Sequence, residues 1–385
     1  MITGKGAFCA LMFSAGILSA PAATADEGPR LSGSPKVEFT DSTAERIGQT
    51  RRVAITNVIL EFQTKVFAEH ITGRLSKMYL KRGDSFSDNE LAGFDPRQLE
   101  QAANQVYKKL VTDLTAAGFE VVPEAQVLAQ PAYQKLRETM GWPQGYHFGN
   151  KEGHSLIVGP TALKPYVPPL SEQGTFANTR QEKGELQAPA LGWSDRARFA
   201  GNSSYAAGLE VQLAKALNAH VVKVWYLIGF GNATASTDWD AISTAHFSTT
   251  ATSRTGATAQ MYLRDEETRL AVRLPDGDAG YARESKRINA ITGGYRPYDG
   301  DVVVRLDETI PGEADFLAGG GVQNATVERD AKAGIGGLLG SMAKSLTGTI
   351  ADNSYKTTVD PTRFAAAAAD MAGQLQPFLI ARIKR

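Results

Sequence analysis

Cysteine is nearly missing from this 385-residue sequence, with Cys9 as its single example. No intrachain disulfide can form, and a thiolate metal site has no donors to draw on. Net charge is missing as well, because 41 Lys and Arg balance 41 Asp and Glu. That balance leaves no electrostatic footprint for nucleic acid, and none is expected as a partner. The 38 glycines follow no fixed period, which excludes a collagen-like chain. The Gly-x-Ser-x-Gly elbow of hydrolases is absent, and no Gly-Lys-Ser/Thr phosphate cradle follows the late glycines Gly334, Gly336, Gly337 and Gly340. The 42% of hydrophobic residues can nevertheless fill a substantial core, which disfavours disorder.

What is present begins with an export pattern. Lys5 precedes an apolar run over residues 7–20, and Ala23, Thr24 and Ala25 precede Asp26 and Glu27. This is the tripartite order of a signal peptide at 1–25 with cleavage after Ala25. A membrane anchor needs about 20 apolar residues, and Pro21 interrupts this run too early. Cys9 lies inside the run rather than at the cleavage point, which excludes a lipid-attachment site there. The predicted location is periplasmic or secreted, with no integral membrane span.

Residues 26–50 are rich in Gly, Pro, Ser and charge, and read as an exposed leader. An α/β core domain is predicted over 51–310, with a long loop insertion at 141–202. The run 53–62 is rich in β-branched residues and predicts a buried strand. Residues 64–94 fit either a strand pair or an exposed excursion. Asp95 and Pro96 then open a helix as N-cap and first residue. Its buried face is Leu99, Ala102, Ala103, Val106, Tyr107, Leu110, Leu114 and Ala117, and Gly118 closes it. Residues 119–123 predict a strand parallel to the first. Within the insertion, residues 154–159 suggest a short strand.

A helix over 203–218 leads directly into a strand over 220–230, repeating the helix-to-strand unit. Residues 256–263 and 268–274 flank the polar stretch 264–267 and predict a β-hairpin turning there. One short strand is predicted at 302–306. Residues 311–360 read as a glycine-rich irregular segment. A C-terminal helix at 361–385 starts from Asp360 and Pro361, and buries Phe364, Ala368, Met371 and Leu375. Gly373 and Pro377 are expected to weaken or kink its end. The predicted fold class is α/β: a mixed sheet with packed helices, extended by a β-hairpin.

This order resembles the α/β domain of bacterial envelope proteins. The residues that carry the resemblance are the helix closed by Gly118, the strand Phe119-Glu120-Val121-Val122-Pro123, and the later run Ala216-Leu217-Asn218-Ala219-His220-Val221-Val222-Lys223-Val224. The stretch from Met261 to Val272 is similar to the strands that follow in those proteins. They include the curli-secretion lipoprotein, the penicillin-binding-protein activators and the N-terminal part of the Tol-system propeller protein. The resemblance implies assembly or protein binding at the envelope, and it lends no catalytic residue.

Tested for chemistry, His147 and His154 stand seven apart near Glu152, without the further ligands that a zinc site needs. Ser341 and Lys344 match Ser-x-x-Lys, but the accompanying signature elements are missing. The Asp276-Gly277-Asp278 and Asp299-Gly300-Asp301 triplets read as turns rather than calcium loops. No catalytic residue, metal or cofactor is therefore assigned. Ile335, Leu338, Leu339, Met342 and Leu346 form a candidate partner surface, and they equally suit packing on the protein's own domain or peripheral contact with a membrane. The expected function is that of an exported, non-enzymatic envelope adaptor or assembly factor, partnered by another envelope protein or by itself. The alternatives are an exported hydrolase with its site in the 141–202 loop, or an oligomeric outer-membrane secretion component. A barrel strand there would need alternating apolar and polar residues over about ten positions.

Overall fold

The computed structural model describes residues 30–39, 47, 50–70, 84–141, 144–149, 153–166, 206–239, 251–277, 302–318, 327–329 and 349–384. The signal segment 1–25 lies outside them. The central strand is β3 (Arg52–His70), longer than the predicted run. On one side it pairs in parallel with β5 (Glu120–Val121), and on the other with β8 (His220–Trp239). Each of these strands is fed by a helix, α1 (Pro96–Ala116) and α4 (206–217).

The two helix exits are built alike. Gly118 takes φ +90° after α1, and Asn218 takes φ +46° after α4. Phe119 N–H donates to the Leu114 carbonyl at 3.0 Å, and Ala219 N–H to the Ala214 carbonyl at 3.0 Å. A left-handed residue at that point satisfies terminal carbonyls while turning the chain into a strand. Arg52 donates to the Leu217 carbonyl at 2.9 Å, adding a cation where the α4 dipole is negative. Asp95 caps α1 by accepting from Arg97 N–H at 3.0 Å.

Between these units lie α2 (Glu124–Leu128), α3 (Pro131–Met140) and the antiparallel pair β6 (Tyr146–Gly149) and β7 (Gly153–Val158). β7 joins β3. The first part of the supposed loop insertion is thus ordered structure, and residues 167–205 lie outside the described set. β3 also turns back antiparallel against β4 (Asp84–Ala92), which realises the strand-pair reading of residues 64–94.

The C-terminal helix α5 (Pro361–Ile383) covers the same face of the sheet as α1. Asp360 caps it, and Phe364, Ala368, Met371 and Leu375 are buried. The rings of Phe62 and Phe364 lie 5.7 Å apart, which places α5 on the face carrying Phe62 and its register partner Ile228. The predicted α1 face is buried, with Tyr107 and Ala117 at its rim. It packs chiefly on α5 rather than on β3. Gln376 donates to the Val106 carbonyl at 2.9 Å across that contact. The helix predicted over 361–385 is present, and it continues through Pro377 to Ile383. Burial on three successive turns outweighs the one hydrogen bond the proline removes.

Three further expectations are corrected. Residues 26–50 are not simply an exposed leader: β1 (Arg30–Leu31) and β2 (Val37–Phe39) join the sheet, and Val37 and Ile47 are buried. Residues 264–267 are not a hairpin turn. β9 (Ala251–Arg273) runs straight through them as the antiparallel partner of β8, with a bulge between the Trp225 and Leu227 pairings. The hairpin of the fold class is therefore β8 with β9, one strand earlier than predicted. Residues 311–360 are not uniformly irregular, since β11 (Ile310–Glu313), β12 (Val327–Arg329) and β13 (Thr349–Thr358) lie at least partly within them. The expected strand β10 (Val302–Leu306) pairs with β9 and β2. The result is an α/β fold, a mixed sheet with helices on its faces.

Candidate functional site

The face of the sheet opposite α5 carries a belt of buried charge. Lys223 and Trp225 on β8 share this face with Asn57, Ile59 and Glu61 on β3, and with Arg269, Ala271 and Arg273 on β9. Glu210 of α4 reaches down to it. Its carboxylate lies 2.8 Å from Lys223 Nζ and 3.2 Å from Arg273 Nε, and is 1% exposed. Tyr166 OH donates to Glu210 at 3.0 Å and accepts from the Thr56 hydroxyl at 2.8 Å. Asn57 Nδ2 ties down the Tyr166 carbonyl. Burial holds the Tyr166 phenol well above its ordinary pKa, and the neighbouring Glu210 carboxylate adds to the rise.

Further along the same face, Trp225 Nε1 donates to Glu61 at 2.9 Å, while the Arg269 guanidinium sits 4.8 Å from the indole centroid. Arg269 also pairs with Glu267. The belt thus joins three carboxylates, Glu61, Glu210 and Glu267, to three cations, Lys223, Arg269 and Arg273, all buried. Buried charges persist when they are mutually compensated and hydrogen-bonded. Chemically, this arrangement clamps α4 and β9 to the sheet and directs its polar capacity inward. Its sequence signal is modest: a lysine interrupting the apolar run Val221-Val222-Lys223-Val224-Trp225.

A second polar region lies beyond the core, where β3 leaves β8. The outer halves of β8 and β9, positions 231–239 and 251–259, form a two-stranded ribbon. β4 and β13, paired in parallel, form a layer against it. Ser85, Ser87 and Asn89 alternate along one face of β4 and are buried. They donate to the carbonyls of Ser236, Gly256 and Thr258 at 3.1, 3.3 and 3.4 Å. Tyr355 OH and Thr255 Oγ1 are 3.0 Å apart.

The structure does not assemble the sequence candidates into a site. His154 is buried with its ring edge-on to Phe67, and His147 stands opposite Leu156 in the register rather than opposite His154. Among the described residues no cluster of three His, Cys, Asp or Glu is placed to hold a metal. His220 is buried at the start of β8 with its Nε2 3.3 Å from the Ile47 carbonyl. Asp276 and Gly277 occupy a turn closed by Gly277 N–H on the Leu274 carbonyl. Glu152, Ser341, Lys344, the 299–301 triplet and the whole candidate partner surface, Ile335, Leu338, Leu339, Met342 and Leu346, lie outside the described residues. No helix among the described residues is long and apolar enough to cross a membrane. Comparison with protein-family models, with curated proteins and with solved structures gives no match to this chain. Fold and site define the class as α/β, and the functional reading rests on these residues.

Proposed function

We propose that this chain is an exported envelope protein that acts by association, as a non-enzymatic adaptor or assembly factor. The observation that carries the reading is the outer β8–β9 ribbon, whose strands pair only with each other among the described residues. Unpaired strand edges are templates for a further strand, and a two-stranded ribbon alone is marginal in water. Strand addition from a second copy or from an envelope partner would complete it. The compensated belt supports the same reading, because its carboxylates are engaged within the protein. The resemblance to envelope adaptor domains points the same way, and the apolar residues Ile335 to Leu346 remain a second proposed contact, with a partner or a membrane surface.

Light scattering on the full chain over a range of concentrations tests this. A mass that rises with concentration, and that falls when the exposed edge positions Thr234 and Thr258 become lysine, is the expected result. A constant monomer mass, with no partner recovered from envelope extracts, would sink it.

One observation favours an oligomeric outer-membrane secretion component as a second reading. The outer runs have nine positions each, near the about 9–11 residues of a membrane-spanning strand. Ala233, Ala235, Ala257 and Ala259 fall on one face, and Asn232, Thr234 and Thr258 on the other. Flotation with lipid vesicles and a detergent-dependent mass would favour this reading over a soluble adaptor.

A further inference from the structure

We propose that the β4–β13 layer is an autoinhibitory cover for the outer ribbon, and that it must lift before a second copy of this chain adds its strands. The inference rests on the association reading above. The contact between the layers is made by polar side chains reaching main-chain atoms. Ser85, Ser87 and Asn89 meet the carbonyls of Ser236, Gly256 and Thr258, while Asn353 and Tyr355 of β13 both meet the Thr255 hydroxyl. Close approach is possible because the ribbon positions beneath are small. A Cβ added to Gly231 would stand 2.1 Å from the Thr258 carbonyl and 3.2 Å from Asn89 Nδ2.

This interface differs in kind from the contact under α1 and α5. There, leucine, phenylalanine and methionine side chains are buried together, and water cannot replace what they lose on separation. Here, neutral hydroxyl and amide donors meet carbonyls, and water can take over each bond when the layers part. The cover also closes on chain ends far apart in sequence, since β13 supplies half of it and follows β4 by more than 250 positions. Once uncovered, the ribbon is suited to its own copy. Over 231–239 and 251–259 the sequence carries one acidic and one basic residue, Asp238 and Arg254, so the ribbon has no net charge and two copies meet without net like-charge repulsion.

The test uses the full chain in a Cys9→Ser background. Thr255→Cys and Asn353→Cys are joined across the layers by a short bifunctional methanethiosulfonate reagent, which reductant removes. The bridged protein is expected to stay monomeric at concentrations where the unbridged one assembles, and to recover assembly on reduction. In the opposite sense, Ser85→Ala with Ser87→Ala, checked for fold by circular dichroism, should lower the concentration needed for assembly by about tenfold. Assembly that is equally ready with the bridge in place overturns the cover while leaving the association reading standing. A chain that never assembles, neither as wild type nor as the Ser85→Ala, Ser87→Ala variant, overturns both.

Discussion

At the scale of single residues, the charge belt separates two kinds of ion pair. Glu210 is buried against Lys223 and Arg273. Truncating it strands two cations in the interior. Glu210→Ala is therefore expected to cost about 3–5 kcal/mol by urea denaturation. Lys36 and Glu308 pair at 2.9 Å on the surface, and Glu308→Ala should leave stability unchanged in the same measurement. The buried phenols predict a response at alkaline pH. Burial raises Tyr133, Tyr166 and Tyr226 above the ordinary tyrosine value. Because the folded values exceed the unfolded one of about 10, the neutral phenols stabilise the native state fully below about pH 10. That stability is lost as pH climbs toward the folded values. Melting temperature should fall steeply there, and the phenolate absorbance of these three of the twelve tyrosines should appear together with unfolding rather than before it. Little of this was legible beforehand. Lys223 interrupts an apolar run, but that signal gained meaning only with the structure, because Glu210, Arg269 and Arg273 lie on other elements and only the fold brings them to it.

At the scale of elements, helices were the most readable because capping and a single buried face are local properties. Asp95, Pro96 and Gly118 bracket α1, and Asp360 and Pro361 open α5, where the structure has them. Leu110→Ala should cost about 2–5 kcal/mol by thermal unfolding, since Leu110 is fully buried on the inner face of α1. Asn218→Val should cost about 1–2 kcal/mol, whereas Asn218→Gly should be tolerated, because the φ of +46° penalises a branched side chain. Strands were harder to read where their buried faces are polar. β13, with Asn353, Tyr355 and Thr357, lacks an apolar period because it lies beside Ser85, Ser87 and Asn89 of β4 in one layer whose contacts with the β8–β9 ribbon are polar. The stretch 264–267 looked like a turn because it is charged, yet its charges are engaged along the strand: Glu267 pairs with Arg269, Arg264 donates to Asn232, and Asp265 accepts from the Thr309 hydroxyl. Pro377 lies inside α5, as the predicted span allowed, and the turns after it bury Leu379, Ile380 and Ile383.

At the scale of the whole molecule, the mixed sheet and its packed helices followed from two parallel helix-to-strand units, which short joints and right-handed crossovers almost dictate. What the chain does as an object in the cell turns on its N-terminus, and intact-mass measurement on envelope extracts should find a product starting at Asp26. A product that retains Met1 would remove the export reading. The parallel pairing of β4 with β13 carries a consequence for biogenesis. Synthesis runs from N- to C-terminus, and at about 5–20 residues per second the interval between residue 92 and residue 349 is roughly 13 to 50 s. Throughout that interval β4 has no outer neighbour, and the face of α1 that α5 will cover is bare. A nascent chain of this kind is a natural client for a holding chaperone. Ribosome-stalled fragments ending before residue 349 should bind one until the last two elements emerge.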